Sequence, residues 1–326
     1  METSGASGAA TARVVPRTLC AGIAVHDHVY RVVRFPVPGT KTRAREFVAT
    51  GGGCAANAAV AIARLGGEAA LAAPLGGPVG EDAIGDAIVA NLRRERVDCT
   101  RVVRVDRARS PISAILVDAS GERLIVNDRD ERLSDARPAD PGDAVAGYDA
   151  LLVDNRFAEF VLPLCLAARA RGMPVVLDGD RPTRASDQLL QACTHLIFAA
   201  DGLRATAGCD ELSQALRAIE KSTGAFVAVT DGPRGTQWLD RGQLCHSAAH
   251  PVEVVDTLAA GDVFHGAFAL ALAEGRAAVD ALGFAAAAAA VKCTRFGGIN
   301  GAPTRLEVEA FLTKRAFAAD ESAPAA

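Results

Sequence analysis

Asp256-Thr257-Leu258-Ala259-Ala260-Gly261-Asp262 places three small residues and then an acid directly before an apolar, alanine-rich run. That run, residues 263–273, predicts a buried helix, so the small residues lie where the unpaired N–H groups of its first turn point outward. Such a helix end attracts anions, and small side chains let a phosphate approach the backbone. Asp262 is then either an ordinary helix cap or a base for an attacking hydroxyl. An anion hole beside a base is what phosphoryl transfer to an alcohol requires.

A second motif lies near the amino terminus and reads Gly51-Gly52-Gly53-Cys54-Ala55-Ala56-Asn57, with Leu65-Gly66-Gly67 after it. Together, and in this order, the two motifs resemble those of the ribokinase-like (PfkB-type) carbohydrate kinases, whose carboxyl-terminal motif reads Asp-Thr-x-Gly-Ala-Gly-Asp. The resemblance extends over residues 19–312. Ala259 stands at the family's first glycine, and a methyl group fits that turn if the residue keeps φ below zero.

The resemblance implies an enzyme that transfers phosphate from ATP, with Mg²⁺, to a sugar hydroxyl. It makes Asp262 the catalytic base and residues 259–261 the anion hole. It also implies sugar contacts from a first group of residues: Asp27, Gly51, Gly52, Gly53 and Asn57. A carboxylate accepts two hydroxyl hydrogen bonds, which suits a polyol. On local sequence alone, Asp27 fits an Asx turn equally well, and Asn57 fits a helix cap.

The nucleotide side of the site is also implied by the resemblance. The predicted ATP contacts follow a strand at residues 226–230 and a helix that ends near residue 293, and they are Thr230, Gly232, Gly235, Lys292 and Gly297. Local sequence offers simpler interpretations of both segments. Asp231-Gly232-Pro233-Arg234-Gly235 is a common hairpin turn, and a cation followed by glycines commonly ends a helix.

One departure from the family concerns the metal. Many members carry Asn-x-x-Glu after the strand that matches residues 195–198, where it helps to organise Mg²⁺. Here the stretch reads Ala199-Ala200-Asp201-Gly202, so both polar positions are missing. Asp201 is a candidate substitute that would act through water, because Mg²⁺ keeps several waters and needs few carboxylates. The metal requirement is therefore expected to hold, while its protein ligands stay open.

The rest of the pattern predicts an α/β fold. Short apolar strand patterns alternate with helical periodicity, as in an open, mostly parallel sheet with helices on both faces. Residues 29–48 and 110–127 instead alternate apolar and polar residues around turn signals, which predicts antiparallel strands. In the resembled family these segments form a small lid over the sugar and commonly pair two subunits, so a homodimer is expected. Residues 17–315 are interpreted as one kinase domain between disordered tails, 1–16 and 316–326.

Composition narrows the class of protein. The chain has 326 residues, with 35 basic and 39 acidic side chains and a formal charge of −4, so it lacks the basic surface of a nucleic-acid-binding protein. Its apolar stretches are too short to span a bilayer. The 8 cysteines form no Cys-x-x-Cys pair and fall mostly in apolar segments, which favours a reducing cytoplasm.

Three residues are candidates for determining which sugar binds: Lys41, Asn127 and Arg156. They lie in the two lid segments and after a central strand. If they converge, an ammonium, an amide and a guanidinium form a pocket for an anionic group. Within the family, this trio resembles the sulfonate contacts of the sulfofructose kinases, which phosphorylate 6-deoxy-6-sulfofructose at its 1-hydroxyl. Lone lysines and arginines are usually solvated surface charges. A neutral sugar kinase of the fructokinase, ketohexokinase or ribokinase type is therefore the alternative.

Parts of the sequence also fit two other classes of protein. Residues 51–56 also fit the Gly-x-Gly-x-x-Ala fingerprint of an NAD-dependent oxidoreductase, but they follow a lid-like strand. A sugar sensor without activity would keep the fold but has no use for Asp262. Both interpretations ignore the carboxyl-terminal motif.

Overall fold

The computed structural model describes residues 15–321, and side chains within residues 15–315. Its strands in chain order are β1 (Arg17–Ala21), β2 (Val25–Arg31), β3 (Glu46–Gly52), β4 (Glu68–Ala72), β5 (Pro74–Gly76), β6 (Val103–Val105), β7 (Ile112–Val117), β8 (Arg123–Asp128), β9 (Ala150–Asp154), β10 (Val175–Gly179), β11 (His195–Ala199), β12 (Phe226–Thr230), β13 (Thr236–Asp240) and β14 (Gln243–Ser247). Its helices are α1 (Cys54–Arg64), α2 (Ala83–Arg94), α3 (Pro141–Ala144), α4 (Ala158–Ala170), α5 (Gln188–Ala192), α6 (Ala200–Ala207), α7 (Leu212–Thr223), α8 (Ala260–Ala273), α9 (Ala278–Cys293) and α10 (Arg305–Glu321).

The main sheet has the order β14-β13-β12-β11-β10-β9-β1-β4. The strands from β12 to β4 run parallel, and β13 and β14 continue as antiparallel hairpin strands. One face packs against α1, α8 and α9, and the other against α4 and α7. Strands buried on both faces read as continuous apolar runs, as β9 and β12 do. The predicted fold class is confirmed.

A second sheet has the order β3-β2-β7-β8 and forms the predicted lid. Its β2–β3 and β7–β8 pairs are antiparallel, whereas β2 and β7 run parallel. The lid begins earlier than residue 29, because β1 ends at Ala21 and the chain turns at Gly22. A Cβ at Gly22 would lie 2.1 Å from Oδ2 of the buried Asp154, so only glycine fits there. Asp27 therefore lies within a lid strand and not in a loop after the first strand.

The dinucleotide-fingerprint interpretation fails for a related reason. Gly51 and Gly52 end β3, which pairs with β2 of the lid and not with the main sheet. A dinucleotide site needs its glycines in the turn that follows a strand of the parallel sheet.

The ends of the domain differ partly from expectation. Arg17 starts β1 as the domain boundary predicts, and residues 1–14 of the predicted amino-terminal tail lie outside the described residues. The predicted carboxyl-terminal tail started too early, because α10 runs on to Glu321. Alanines 316, 318 and 319 are strong helix formers and extend the helix past residue 315. Residues 322–326 lie outside the described part.

Within the described part of the chain, every helix is too short or too polar to cross a membrane.

Candidate active site

The candidate site lies at the carboxyl ends of the parallel strands, between the lid and the start of α8. Asp154 ends β9, Asp178 lies in β10, and Asp180 follows β10. Asp262 joins them from the first turn of α8. Ligands of open α/β sheets collect at this edge, because the strands and helices on both sides leave a crevice there. Burial and the neighbouring carboxylates raise the pKa of Asp178, and Arg156 opposes this increase.

The start of α8 is open, as the motif predicts. Ala259 accepts from the N–H of Val263 at 3.0 Å, and among described backbone contacts the N–H groups of Gly261 and Asp262 have no partner. Gly261 is exposed, and no atom lies within 4 Å of where its Cβ would stand. These features are those of an anion hole.

The condition placed on Ala259 is not met. Its φ is 64°, in the left-handed region, so the methyl group is tolerated only with strain. A non-glycine residue there costs roughly 1–2 kcal/mol. The turn keeps this conformation because hydrogen bonds fix both of its sides. Asp256 accepts from the N–H of Leu258 at 2.8 Å, and the N–H of Val263 donates to the carbonyl oxygen of Ala259.

Asp256 also joins the motif to the loop that follows α9. Its Oδ2 accepts from the N–H groups of Gly297 and Gly298, each at 3.0 Å, and the residue is completely buried. Gly297 and Gly298 have φ values of 102° and 60°, which suit glycine. The loop predicted to lie beside ATP is therefore fixed to the anion hole by one carboxylate.

Asp262 has the surroundings of a base. The Nδ2 of Asn57 donates to its Oδ2 at 2.6 Å. Burial raises the pKa of Asp262, the Asn57 hydrogen bond opposes this effect, and Asp180 adds to it. Asn57 is neither a helix cap nor a demonstrated sugar contact, since α1 is capped at Gly53. Instead it orients the carboxylate, a role that sequence reasoning missed because the two residues are far apart in the chain.

Asp27 faces the crevice from β2. It is 6% exposed, and its pKa is raised to about 7 by burial, against a hydrogen bond from Ser113, with a further increase from Asp262. Asn127 donates from Nδ2 to Ser113 Oγ at 3.1 Å. Three lid strands therefore present Asp27, Ser113 and Asn127 on one inner face. Ser113 was not among the predicted residues, and only the register of β2, β7 and β8 identifies it.

The three glycines of the first motif make room for other residues. A Cβ at Gly52 would lie 1.9 Å from Asp27 Oδ2, and one at Gly53, whose φ is 91°, would lie 2.5 Å from the carbonyl oxygen of Ile23. A Cβ at Gly51 would lie 2.8 Å from Asn91 Nδ2. They therefore allow the lid to approach the main sheet, and their contact with sugar stays a prediction.

The predicted anion-binding trio is only partly assembled. Arg156 forms an ion pair with Asp180 and is largely buried, with its Nη2 3.9 Å from Cys54 Sγ. Asn127 lies on the inner face of the lid. Lys41 is exposed in the segment between β2 and β3. No described contact joins the three, so their convergence on a sugar stays a prediction.

On the nucleotide side, residues 231–235 form the hairpin turn between β12 and β13, which local sequence also predicted. Thr230 ends β12 and is half-buried, and Gly232 and Gly235 have φ values of 50° and 88°. Lys292 is completely buried, so a direct contact between its ammonium and ATP does not fit the structure. The helical pattern around residue 292 gave no sign of this burial.

The proposed metal substitute Asp201 points to solvent. Its side chain is fully exposed and pairs with Arg204 at 3.0 Å in the first turn of α6. Asp178 and Asp262 suit Mg²⁺ better, because one ligand atom of each lies within 4.8 Å of the other and of Cys54 Sγ. Asp178 is 3% exposed, and its Oδ1 has no hydrogen-bond partner. Buried carboxylate oxygens without a partner fit a hard cation.

Comparisons with known proteins agree with this geometry. Residues 16–305 match the family model described as pfkB family carbohydrate kinase. The chain belongs to the pfkB family of carbohydrate kinases. It is 29% identical to a ribokinase of Bacillus subtilis over 303 residues, which cover 91% of this chain and 100% of the relative.

Solved structures give the same result. A protein of Agrobacterium tumefaciens, provisionally described as a ribokinase, superposes with a TM-score of 0.88 at 37% identity, over 93% of this kinase and 99% of the other chain. The Arabidopsis thaliana ribokinase complexed with ribose and ATP superposes with a TM-score of 0.76 at 27% identity, over 92% and 99%. The kinase is thus a phosphotransferase, and its expected cofactors, ATP and Mg²⁺, are confirmed.

Replacement of the base tests the role of Asp262. Asp262→Asn keeps the shape of the side chain and a partner for Asn57 but cannot accept the proton. We expect kcat to fall by roughly 10²–10⁴ while the KM for ATP and for sugar changes little. Steady-state kinetics and ATP binding by calorimetry measure the two effects. Near-normal turnover by the folded variant would exclude Asp262 as the base.

The pH profile tests Asp27. Its ionised form accepts sugar hydroxyls, so kcat/KM for the sugar should fall as the pH drops below about 7. Asp27→Asn should lower kcat/KM and lose this dependence. In the unfolded chain the carboxyl ionises near 3.8, so charging Asp27 in the fold costs stability as the pH rises from 3.8 to about 7. The variant should therefore melt higher than wild type at pH 8. A lower melting temperature at that pH would contradict the raised pKa.

Proposed function

We propose that this kinase phosphorylates a ketose that carries an anionic group away from the acceptor hydroxyl. The specific candidate is 6-deoxy-6-sulfofructose, phosphorylated at its 1-hydroxyl. The observation that carries the proposal is a group of guanidinium side chains next to the lid: Arg156 and Arg181 both lie within electrostatic range of Arg129.

Arg129 is held in place close to other positive charges. Its guanidinium carbon lies 5.0 Å from the ring centroid of Phe157, and its Nη1 donates to the carbonyl oxygen of Arg156 at 2.9 Å. Burial lowers the pKa of Arg129, and the charges of Arg181 and Arg156 lower it further. The carboxylates of Asp154 and Glu131 offset part of this repulsion, and an anionic group on the sugar would offset more of it. Asn127 is two residues away and adds an amide donor.

In the proposed reaction, Asp27 and Asn127 hold the sugar from the lid while Asp262 faces the acceptor hydroxyl. The hydroxyl oxygen attacks the γ-phosphorus of ATP, and the bond between that phosphorus and the bridging oxygen of ADP breaks. Asp262 takes the hydroxyl proton. ADP and the sugar phosphate leave. The free N–H groups of Gly261 and Asp262 stabilise the phosphoryl oxygens. Asp178, whose Oδ1 has no hydrogen-bond partner, would hold Mg²⁺ next to Asp262, and the bound ion would supply charge neutralisation.

A neutral sugar is the second candidate, and a specific contact favours it. Arg156 is already paired with Asp180, so part of the positive charge is neutralised without any ligand. The Bacillus subtilis relative is a ribokinase, and the Arabidopsis thaliana ribokinase was solved with ribose and ATP.

A substrate panel separates the two candidates. With ATP and Mg²⁺, kcat/KM should be higher for 6-deoxy-6-sulfofructose than for fructose or ribose. Arg156→Ala should weaken the binding of the sulfonated ketose by about 2–5 kcal/mol and hardly affect the binding of fructose. Arg132→Ala is the matched control, since Arg132 pairs with Asp130 at the exposed surface of the same region. Coupled ADP release measures each rate.

Two results would contradict the anionic-sugar proposal. One is a preference of the wild type for fructose or ribose over their sulfonated or phosphorylated analogues. The other is an equal loss of kcat/KM for all sugars in the Arg156→Ala variant. Because removing Arg156 also leaves Asp180 unpaired, Arg156→Ala with Asp180→Asn is measured beside it.

We also propose that two copies pair through the outer face of the lid. Strand alternation turns Ser113 inward and Ile112 outward, and β8 places Leu124 and Val126 on the same outer face as Ile112. These three side chains are 38%, 45% and 62% exposed. A contiguous apolar face of this kind is typical of a protein interface.

A charge on that face tests the pairing. Val126→Glu should convert a dimer into monomers, because the carboxylate would be buried without a partner. Leu306→Glu is the control, since Leu306 is 78% exposed on α10 and remote from the lid. Light scattering after size exclusion gives the mass of each species. A wild type that is monomeric at micromolar concentration, or a dimer unaffected by Val126→Glu, would refute this interface.

A further inference from the structure

The ammonium of Lys292 lies at the junction of two loops that the reaction needs. Lys292 belongs to the last turn of α9, and its side chain is completely buried. Its Nζ donates to the carbonyl oxygen of Asp256 at 2.7 Å and lies 3.3 Å from Asp256 Oδ2. A third oxygen, the carbonyl of Arg295, lies at 3.4 Å. The ammonium thus has oxygen ligands from both loops.

These ligands have a direct connection to the anion hole. Asp256 begins the motif that ends at Asp262, and the same carboxylate accepts from Gly297 and Gly298 in the loop after α9. The Asp256 N–H and the Val255 N–H both donate to the carbonyl oxygen of Cys293. Moving Asp256 would therefore move both the start of α8 and the glycine loop.

The charge is needed to hold this junction. Carbonyl and carboxylate oxygens that point at one another repel, and they stay close only around a cation or a donor. Burying an ammonium is itself costly unless it is surrounded by such oxygens. A leucine or methionine would fill the same space and pack well, but it would leave these oxygens without their partner.

We propose that the Lys292 ammonium is a built-in cation that positions the anion hole relative to the glycine loop. Lys292 is then a positioning residue for phosphoryl transfer, and the kinase needs no free monovalent cation at this junction. The inference depends on the kinase activity of the family and not on which sugar is used.

Chemical rescue tests the proposal. Lys292→Ala removes three methylene groups and the ammonium, which leaves a cavity of the length of propylammonium. Lys292→Met fills the space without the charge. Lys221→Met is the control for loss of a lysine, since Lys221 is exposed on α7. Turnover and the KM for ATP are measured in tetramethylammonium chloride, a cation too large for the cavity, with and without ammonium, methylammonium, ethylammonium or propylammonium chloride.

We expect both Lys292 variants to lose roughly 10–100-fold in kcat, as small misplacement of a catalytic group does, while Lys221→Met stays normal. Added alkylammonium should restore a saturable part of the activity of Lys292→Ala and raise its melting temperature. It should restore nothing in Lys292→Met, whose cavity is filled. Wild type should have the same activity in tetramethylammonium and in potassium chloride.

Three results would overturn the proposal. The first is strong stimulation of the wild type by potassium or ammonium, which would mean that a free cation does this work. The second is full activity of folded Lys292→Met. The third is a Lys292→Ala variant that no ammonium rescues in activity or in melting temperature, because a merely space-filling lysine predicts that result.

Discussion

The buried carboxylate of Asp256 fixes the geometry on which the rest of the site depends. It accepts three backbone N–H groups, one from the turn before α8 and two from the glycine loop. A charged acceptor makes each of these bonds stronger than a neutral one. Together they offset the roughly 1–2 kcal/mol of strain in the left-handed Ala259. The start of α8 consequently faces the crevice with free N–H groups, although no side chain caps it.

The lid depends on the same turn. Leu258 packs under Val29, Ile115 and Val117 of the lid sheet. Arg123 of β8 donates to Thr257 Oγ1 at 2.9 Å. The side of the lid that carries Asp27 and Asn127 is thus attached to the motif that carries Asp262. A change of lid position therefore changes the distance between the sugar contacts and the base, which links substrate binding to the catalytic geometry.

The sequence predicted those features that follow from local patterns. Alternating strands and helices predicted the fold, and the residues Ala-Ala-Gly predicted the open start of α8, while the roles of anion hole and base stay predictions. Positions that depend on distant packing were missed or misread. Asn57 reaches Asp262 only because α1 lies against α8, and Lys292 looked like a helix-ending surface cation although α9 buries it. The strained φ of Ala259 was misread because it depends on the hydrogen bonds of its own turn, from Leu258 to Asp256 and from Val263 to Ala259, which the pattern of side chains does not reveal.

Electrostatics set the direction in which a substrate can lie. Asp262 must accept a proton, so the acceptor hydroxyl belongs next to the carboxylates and the Mg²⁺ that accompanies ATP. An anionic group on the sugar would be repelled there by both the carboxylates and the triphosphate. The end of β8 offers the alternative, because Asn127 leads directly to Arg129, whereas Arg156 lies beside the crevice carboxylates and pairs with Asp180. The anionic substrate proposed above would therefore carry its charge and its acceptor hydroxyl at opposite ends, as a 6-sulfonated ketose with a free 1-hydroxyl does. A sugar with both groups at adjacent carbons would bring two anions together, and the arrangement of charges in this crevice disfavours it.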